Sequence, residues 1–253
     1  DFLARVQQLG KLHLITAITY HGYVSRPESH YGSVQALRNV IANYSSTITV
    51  MQGENGAPSQ PGGYGALSSG SWTELKQAKW DLRRMLGDLG RDIPSNVFTM
   101  IDLDYGSGWN YKGLLKANPD KTVAYAKPAY YAVQNVTSIF DNTLTRIPNY
   151  SYTASTSAAM ELFAYSKSGT NKQIVTLWFS GSEPSDSNSK LPVDFTFHAG
   201  NFDDPVYVDL REGKVYEIPD ENWSVSGTTY TFTSIPVYDS PVLIADKSAF
   251  VWE

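Results

Sequence analysis

The sequence predicts an α/β half followed by an all-β half, and three observations carry that prediction. Through about Asn142, short apolar runs alternate with stretches whose apolar residues recur at helical spacing. Beyond it, apolar residues recur at period two, in short runs separated by Gly, Ser, Asn, Asp and Pro. Charge divides at the same place: residues 1–142 hold 13 Lys and Arg against 11 Asp and Glu, and residues 143–253 hold 7 against 14. Two domains are expected, 1–142 and 143–253, with no low-complexity linker between them.

In the first half, Leu12 to Thr19 is a strand-like run that ends in TYHGY. Val34, Leu37, Val40, Ile41 and Tyr44 follow at helical spacing, and Thr47 to Gln52 forms a second short strand. Ser71-Trp72-Thr73-Glu74 has the form of a capping box, in which serine and glutamate satisfy free N–H groups at a helix start. The helix behind it places Leu75, Ala78, Leu82, Met85, Leu86 and Leu89 on one stripe, and Gly90 can end it. Its Lys76, Lys79, Arg83 and Arg84 make a basic face, expected to be the solvated outside of the helix. Asn96 to Leu103 is a third strand, and Pro128 opens another helix with Ala129, Val133, Val136 and Phe140 inward. Strand and helix thus alternate three times, the mark of a parallel β/α architecture. The strands are apolar on both faces, as strands covered on each side are.

In the second half, SAAMELFAYS, QIVTLWFS, PVDFTFHA, PVYVDL, KVYEI, TYTFTSI and PVLIADK are short strands between turn residues. That is the pattern of an antiparallel β-sandwich.

Chemistry in parallel β/α folds sits at the C-terminal ends of the strands. The first strand here ends at Tyr20-His21, the second at Gln52 and Glu54, and the third at Asp102, Asp104 and Tyr105. The connections that follow are long, whereas helix-to-strand returns such as Ser45-Ser46 are short. Long loops on one rim are what a one-sided active site needs. Glu54 is a carboxylate at such a mouth, next to glycines that let a ligand approach the backbone. It is placed to attack an electrophilic carbon, with Tyr20 on the neighbouring strand donating its hydroxyl to hold it ionised and aimed. The competing explanation is a loop glutamate bonded to backbone N–H groups. His21 is equally at home as a structural hydrogen-bonder. Asp102 and Asp104 share one face of their strand and could bind a hydroxyl or an arginine; nothing points to a metal.

Composition narrows the classes. With no cysteine, disulfides and thiolate metal sites are excluded. No run approaches the ~18 apolar residues of a membrane span. No basic stripe exists, and an acidic second half repels phosphates, so nucleic acid is not an expected partner. Aromatics make up 13 % of the chain, which suits either sugar-ring stacking or plain β-structure. Trp72, Trp109, Tyr64 and Tyr111 fall in the mouth loops and are the stacking candidates. Trp178, Trp223 and Trp252 fall in the second half and are expected in the core or between domains.

TYHGY, MQGENGAPS, VFTMIDLDY and KGLL…KPAYYAVQNV together resemble the last three strands of a clan A glycoside hydrolase barrel, over roughly residues 11–140. The sandwich is similar in architecture to the accessory β-domain of family 39. The resemblance implies the last three β/α units of a TIM-type (β/α)8 barrel, present as a fragment, and then an antiparallel β-sandwich. It implies a retaining β-glycosidase in which Glu54 is the nucleophile and Tyr20 orients it. His21, Asn55, Asp102, Asp104 and Trp109 become candidate sugar contacts. The substrate is an oligo- or polysaccharide, the reaction needs no metal or organic cofactor, and the protein belongs outside the cell or on its surface.

One departure from the pattern matters. A barrel needs eight strands and typically ~250 residues, and only three units precede the sandwich here. The acid/base glutamate of the clan, usually in Asn-Glu-Pro, has no counterpart. The one Glu-Pro, Glu183-Pro184, falls in a Ser-rich loop expected to be a solvated turn. The start at Asp1, without initiator methionine or apolar leader, reads as the interior of a longer chain. The expected partner is therefore the N-terminal part of the same barrel, carrying the acid/base, and the chain alone is expected not to turn over. Two alternatives stand: a non-catalytic carbohydrate-binding or cell-surface structural protein, and a small α/β hydrolase. The second lacks a Gly-x-Ser-x-Gly elbow.

Overall fold

A computed structural model of the chain describes residues 2–250. After helix α1 (Phe2–Gln8), strands β1 (Ala17–Tyr20), β2 (Thr49–Asn55) and β3 (Ser95–Val97) form a parallel sheet in sequence order. Helix α2 (Tyr31–Ala42) connects the first pair and α3 (Glu74–Leu89) the second. The α2 stripe of Val34, Leu37 and Ile41 packs on Ile18, Tyr20, Ile48 and Val50. By the two-residue period of a strand, Thr19 and Met51 point the other way. Thr19 is exposed, so that face of β1 is not covered. The expectation of strands buried on both sides fails here.

Element ends differ from the sequence pattern in instructive ways. Leu12–Leu14 is a 3-10 turn and only Ala17–Tyr20 pairs. The second strand runs on to Asn55, so Glu54 lies within it. Helix α3 is capped by Thr73, whose side chain accepts from the Lys76 N–H, rather than by Ser71. The third strand stops at Val97. Leu103–Asp104 (β4) instead pairs with Trp109–Asn110 (β5), and Leu115–Ala117 (β6) with Val123–Ala126 (β7), as two hairpins before helix α4 (Pro128–Ile139).

The remaining strands are β8 (Leu144–Ile147), β9 (Tyr152–Ala154), β10 (Met160–Lys167), β11 (Gln173–Phe179), β12 (Leu191–Phe197), β13 (Pro205–Asp209), β14 (Lys214–Glu217), β15 (Trp223–Ser226), β16 (Thr229–Val237) and β17 (Val242–Asp246). They form two antiparallel sheets, in the orders β14-β13-β17-β11-β10-β8 and β15-β16-β12-β9. Val175, Leu177, Tyr207, Val242 and Ile244 of the larger sheet share a core with Val193, Phe195, Phe197, Phe232 and Ile235 of the smaller. Trp223 stacks over Tyr230 and Phe232 at its edge, while Trp252 lies outside the described residues.

The opposite face of the larger sheet is also covered. Ile174, Trp178, Val206, Val208, Leu243 and Ala245 pack against Ala78, Leu82 and Leu86 of α3 and Ala129, Ala132 and Val136 of α4. Strands β11, β13 and β17 therefore bury both faces, each large apolar side chain contributing about 1.5–3 kcal/mol. The mostly apolar runs QIVTLWF and PVLIAD carry this in the sequence for β11 and β17.

This packing overturns the solvated basic face. Lys79, Arg83 and Arg84 are fully buried. Arg83 grips Glu28 through two nitrogens, Nε–Oε1 at 2.8 Å and Nη2–Oε2 at 2.5 Å, and Trp178 Nε1 donates to the same Oε1 at 2.8 Å. Lys79 Nζ reaches Asp239 Oδ1 at 2.7 Å and the Ser185 carbonyl at 2.9 Å. Arg84 lies 3.2 Å from Asp88. The Ser-rich loop is likewise no free turn: Pro184 is buried, Ser25 donates to Glu183, and Thr73 donates to Asp186. Buried charges persist only when paired and hydrogen-bonded, and here the pairs join the loop after β1, α3 and the antiparallel sheets.

Candidate active site

Glu54 is positioned by an irregularity in β2. Gln52 pairs with Ser95 but Asn55 pairs with Val97, so three steps on β2 answer two on β3. In a regular strand Glu54 would follow Val50 and Gln52 onto the α2 face. The extra residue turns it the other way, as bulges beside functional sites do. Gly56 beyond it is required by space: a Cβ there would meet the Phe98 carbonyl oxygen at 2.0 Å.

The turned carboxylate is 35 % exposed. Tyr23 Oη donates to its Oε1 at 2.6 Å, the short distance of a charge-assisted bond. His21 Nδ1 stands 3.8 Å from Oε2, near enough for electrostatic contact but not for a hydrogen bond. Burial, the bond to Glu54 and the Glu54 charge all push the Tyr23 phenol far above its ordinary value, so it remains a donor. The Lys112 ammonium lies 5.4 Å from the centre of the Tyr23 ring. Burial brings Lys112 down to about 8, against the attraction of Glu54.

The other candidates fall elsewhere. Tyr20 pairs with Gln52 and lies on the α2 side, stacked on His30 at 5.3 Å. Its hydroxyl has no hydrogen-bond partner, and burial and Asp88 push it up to about 12. The orienting donor is Tyr23, not Tyr20, because the bulge changes the side that Glu54 faces. Asn55 is fully buried and spends its amide on Ser95 Oγ and the Asn96 carbonyl, tying β2 to β3. Asp102 is buried in a 2.6 Å pair with Lys127 and accepts the Gly113 N–H. Asp104 caps the Gly106 N–H in an exposed hairpin. Neither aspartate is on β3, so they do not share a strand end. Trp109 sits in β5, where its carbonyl accepts the Tyr64 N–H. Tyr64 is exposed and packs on Tyr105 at 5.2 Å, a platform at the mouth. Trp72 is no platform: it is buried against Ala57 and Trp80 and donates to the Leu67 carbonyl.

Of the sequence candidates, the fold brings together Glu54 and His21, and it adds Tyr23 and Lys112. Tyr23 closes TYHGY and Lys112 opens KGLL, but no periodicity singles them out. Among the described residues, no three His, Asp or Glu side chains are grouped as a metal ion requires.

Behind the site, Asp81 of α3 is buried and neither of its oxygens has a hydrogen-bond partner. Burial pushes its carboxyl from 3.8 up to about 8, with the nearby Lys127 charge opposing. The folded chain therefore holds this proton more tightly than the unfolded one. Its contribution to stability is complete below about pH 4 and is lost as pH rises through about 8. The expected slope is about 1.4 kcal/mol per pH unit inside that window. Urea unfolding of Asp81→Asn should lack this slope, and an unchanged pH profile in the variant would refute it.

No protein-family model matches the sequence, and no curated protein sequence matches it. The fold does have a solved counterpart. The structure is similar to the crystal structure of a GH51 arabinofuranosidase from Xanthomonas axonopodis pv. citri, with a TM-score of 0.54 and 10 % identity. The match covers 97 % of this chain and 48 % of that one, so the chain spans about half the length of the solved enzyme. At this identity the likeness concerns the fold alone, a mixture of α/β and antiparallel structure, with nothing that selects family 39.

Proposed function

We propose that this chain supplies the nucleophile side of a retaining glycoside hydrolase. The supporting observation is Glu54 itself: a part-exposed carboxylate turned by a bulge toward a neutral tyrosine donor at 2.6 Å. Glu54 attacks the anomeric carbon, the leaving oxygen takes a proton from a second carboxyl, and water later releases the glycosyl group. That second carboxyl, ~5–5.5 Å away in retaining enzymes, belongs to an upstream part of the barrel docked on the uncovered face of β1. In this reading residues 1–142 are barrel and residues 143–253 an accessory sandwich; the substrate is an oligo- or polysaccharide, met outside the cell or at its surface.

Tyr23 carries a test. Tyr23→Phe removes the hydroxyl and keeps the ring, so kcat/KM for the glycan should fall about 10- to 100-fold, the value of one hydrogen bond to a charged group. Unchanged kcat/KM in a folded Tyr23→Phe enzyme would contradict the role.

A further inference from the structure

Lys79, Lys112 and Lys127 are the lysines that the described fold buries. Lys79 has acceptors in Asp239 and two carbonyls, and Lys127 in Asp102, Ser59 and the Tyr111 carbonyl. Lys112 is different. It is 1 % exposed, its main chain is fully engaged with Asn110, Gln77 and Thr99, and its ammonium has no acceptor. Beside it, Asn110 is 4 % exposed and uses Oδ1 for the Lys112 N–H, which leaves Nδ2 without a partner. Both free donors lie beneath one glycine. A Cβ on Gly65 would stand 3.2 Å from Asn110 Nδ2 and 3.3 Å from Lys112 Nζ. At φ +94° and with so little room, the position needs glycine, and its backbone packs directly on the two donors.

Neither donor is among the side-chain atoms sealed from solvent, so both can meet a ligand, and the ammonium adjoins Tyr23, the donor to Glu54. We infer that Lys112 and Asn110 form a donor pair that receives an oxygen of the bound sugar next to Glu54. The inference rests on the glycosidase proposal and names a further substrate-binding element for it. The sugar is neutral, because Glu54 already balances the lysine and would repel a second carboxylate.

Charge separates this role from mere packing. Titration calorimetry on the enzyme that contains both parts of the barrel would use a neutral probe, L-arabinono-1,4-lactone, and a cationic one, 1,4-dideoxy-1,4-imino-L-arabinitol. Lys112→Met should weaken the lactone about 10- to 100-fold while leaving the imino sugar unchanged or tighter. Glu54→Gln should do the opposite, weakening the imino sugar more. Asn110→Asp, which gives Lys112 an internal counter-charge, should also weaken the lactone and serves if Lys112→Met does not fold. Equal losses for both probes in Lys112→Met, or no loss for either, overturn the donor pair. If that occurs while Glu54→Gln still discriminates, the donor pair alone falls. If Glu54→Gln still hydrolyses the glycan, the glycosidase proposal falls and the donor pair with it.

Discussion

If the proposed mechanism holds, Glu54→Gln should abolish turnover in an enzyme that contains both parts of the proposed barrel, with kcat lower by on the order of 10⁴-fold. The amide cannot attack the anomeric carbon, so the covalent glycosyl intermediate does not form. The fold is nearly indifferent to the change. Glu54 is part-exposed, and the glutamine oxygen can still accept the Tyr23 hydroxyl, so stability should move within about 0.5 kcal/mol. Paired rate and unfolding measurements check both halves. Activity near wild type in Glu54→Gln would remove this residue from the mechanism, and a large loss of stability would make its role structural.

The second large effect is on the fold. Glu28→Ala leaves the Arg83 guanidinium fully buried without its carboxylate and takes the acceptor from Trp178 Nε1. Breaking one partner of a buried pair costs about 3–5 kcal/mol, which for a chain of this length lowers Tm by roughly 6–20 °C. Replacing both members, Glu28→Met with Arg83→Met, should recover much of the loss, since no unpaired charge then remains. A double-mutant cycle by thermal unfolding measures the coupling. If Glu28→Ala costs less than about 1 kcal/mol, as an exposed pair would, then water reaches Arg83 and the tie is weaker than its burial indicates.

These two residues also mark where the sequence was legible. The apolar stripes of α2, α3 and α4 and the alternating strands were visible because they depend on neighbours three, four or two positions away. The partners of the α3 charges lie far off in sequence, Glu28 for Arg83 and Asp239 for Lys79, so a local pattern could only rank that face as solvated. Glu54 was visible as a carboxylate closing an apolar strand. Tyr23 was not visible as its donor, because regular alternation pairs Tyr20 with the side that Glu54 would have faced. One extra residue between Gln52 and Asn55 reverses that side, and Gly53 marked the place without telling which way the chain would turn. Asp102 was misjudged for a similar reason. Its strand ends early at Val97, and Lys127, the ion-pair partner, comes from the start of α4.

The most direct measurement is covalent. A 2-deoxy-2-fluoroglycosyl fluoride, reacted with the active enzyme and followed by peptide mass mapping, traps the glycosyl group on the nucleophile. The mass increment should fall on the peptide that carries Glu54, and it should be missing from Glu54→Gln. A label on any other carboxylate, with Glu54 unmodified in an enzyme that was active beforehand, would contradict the account.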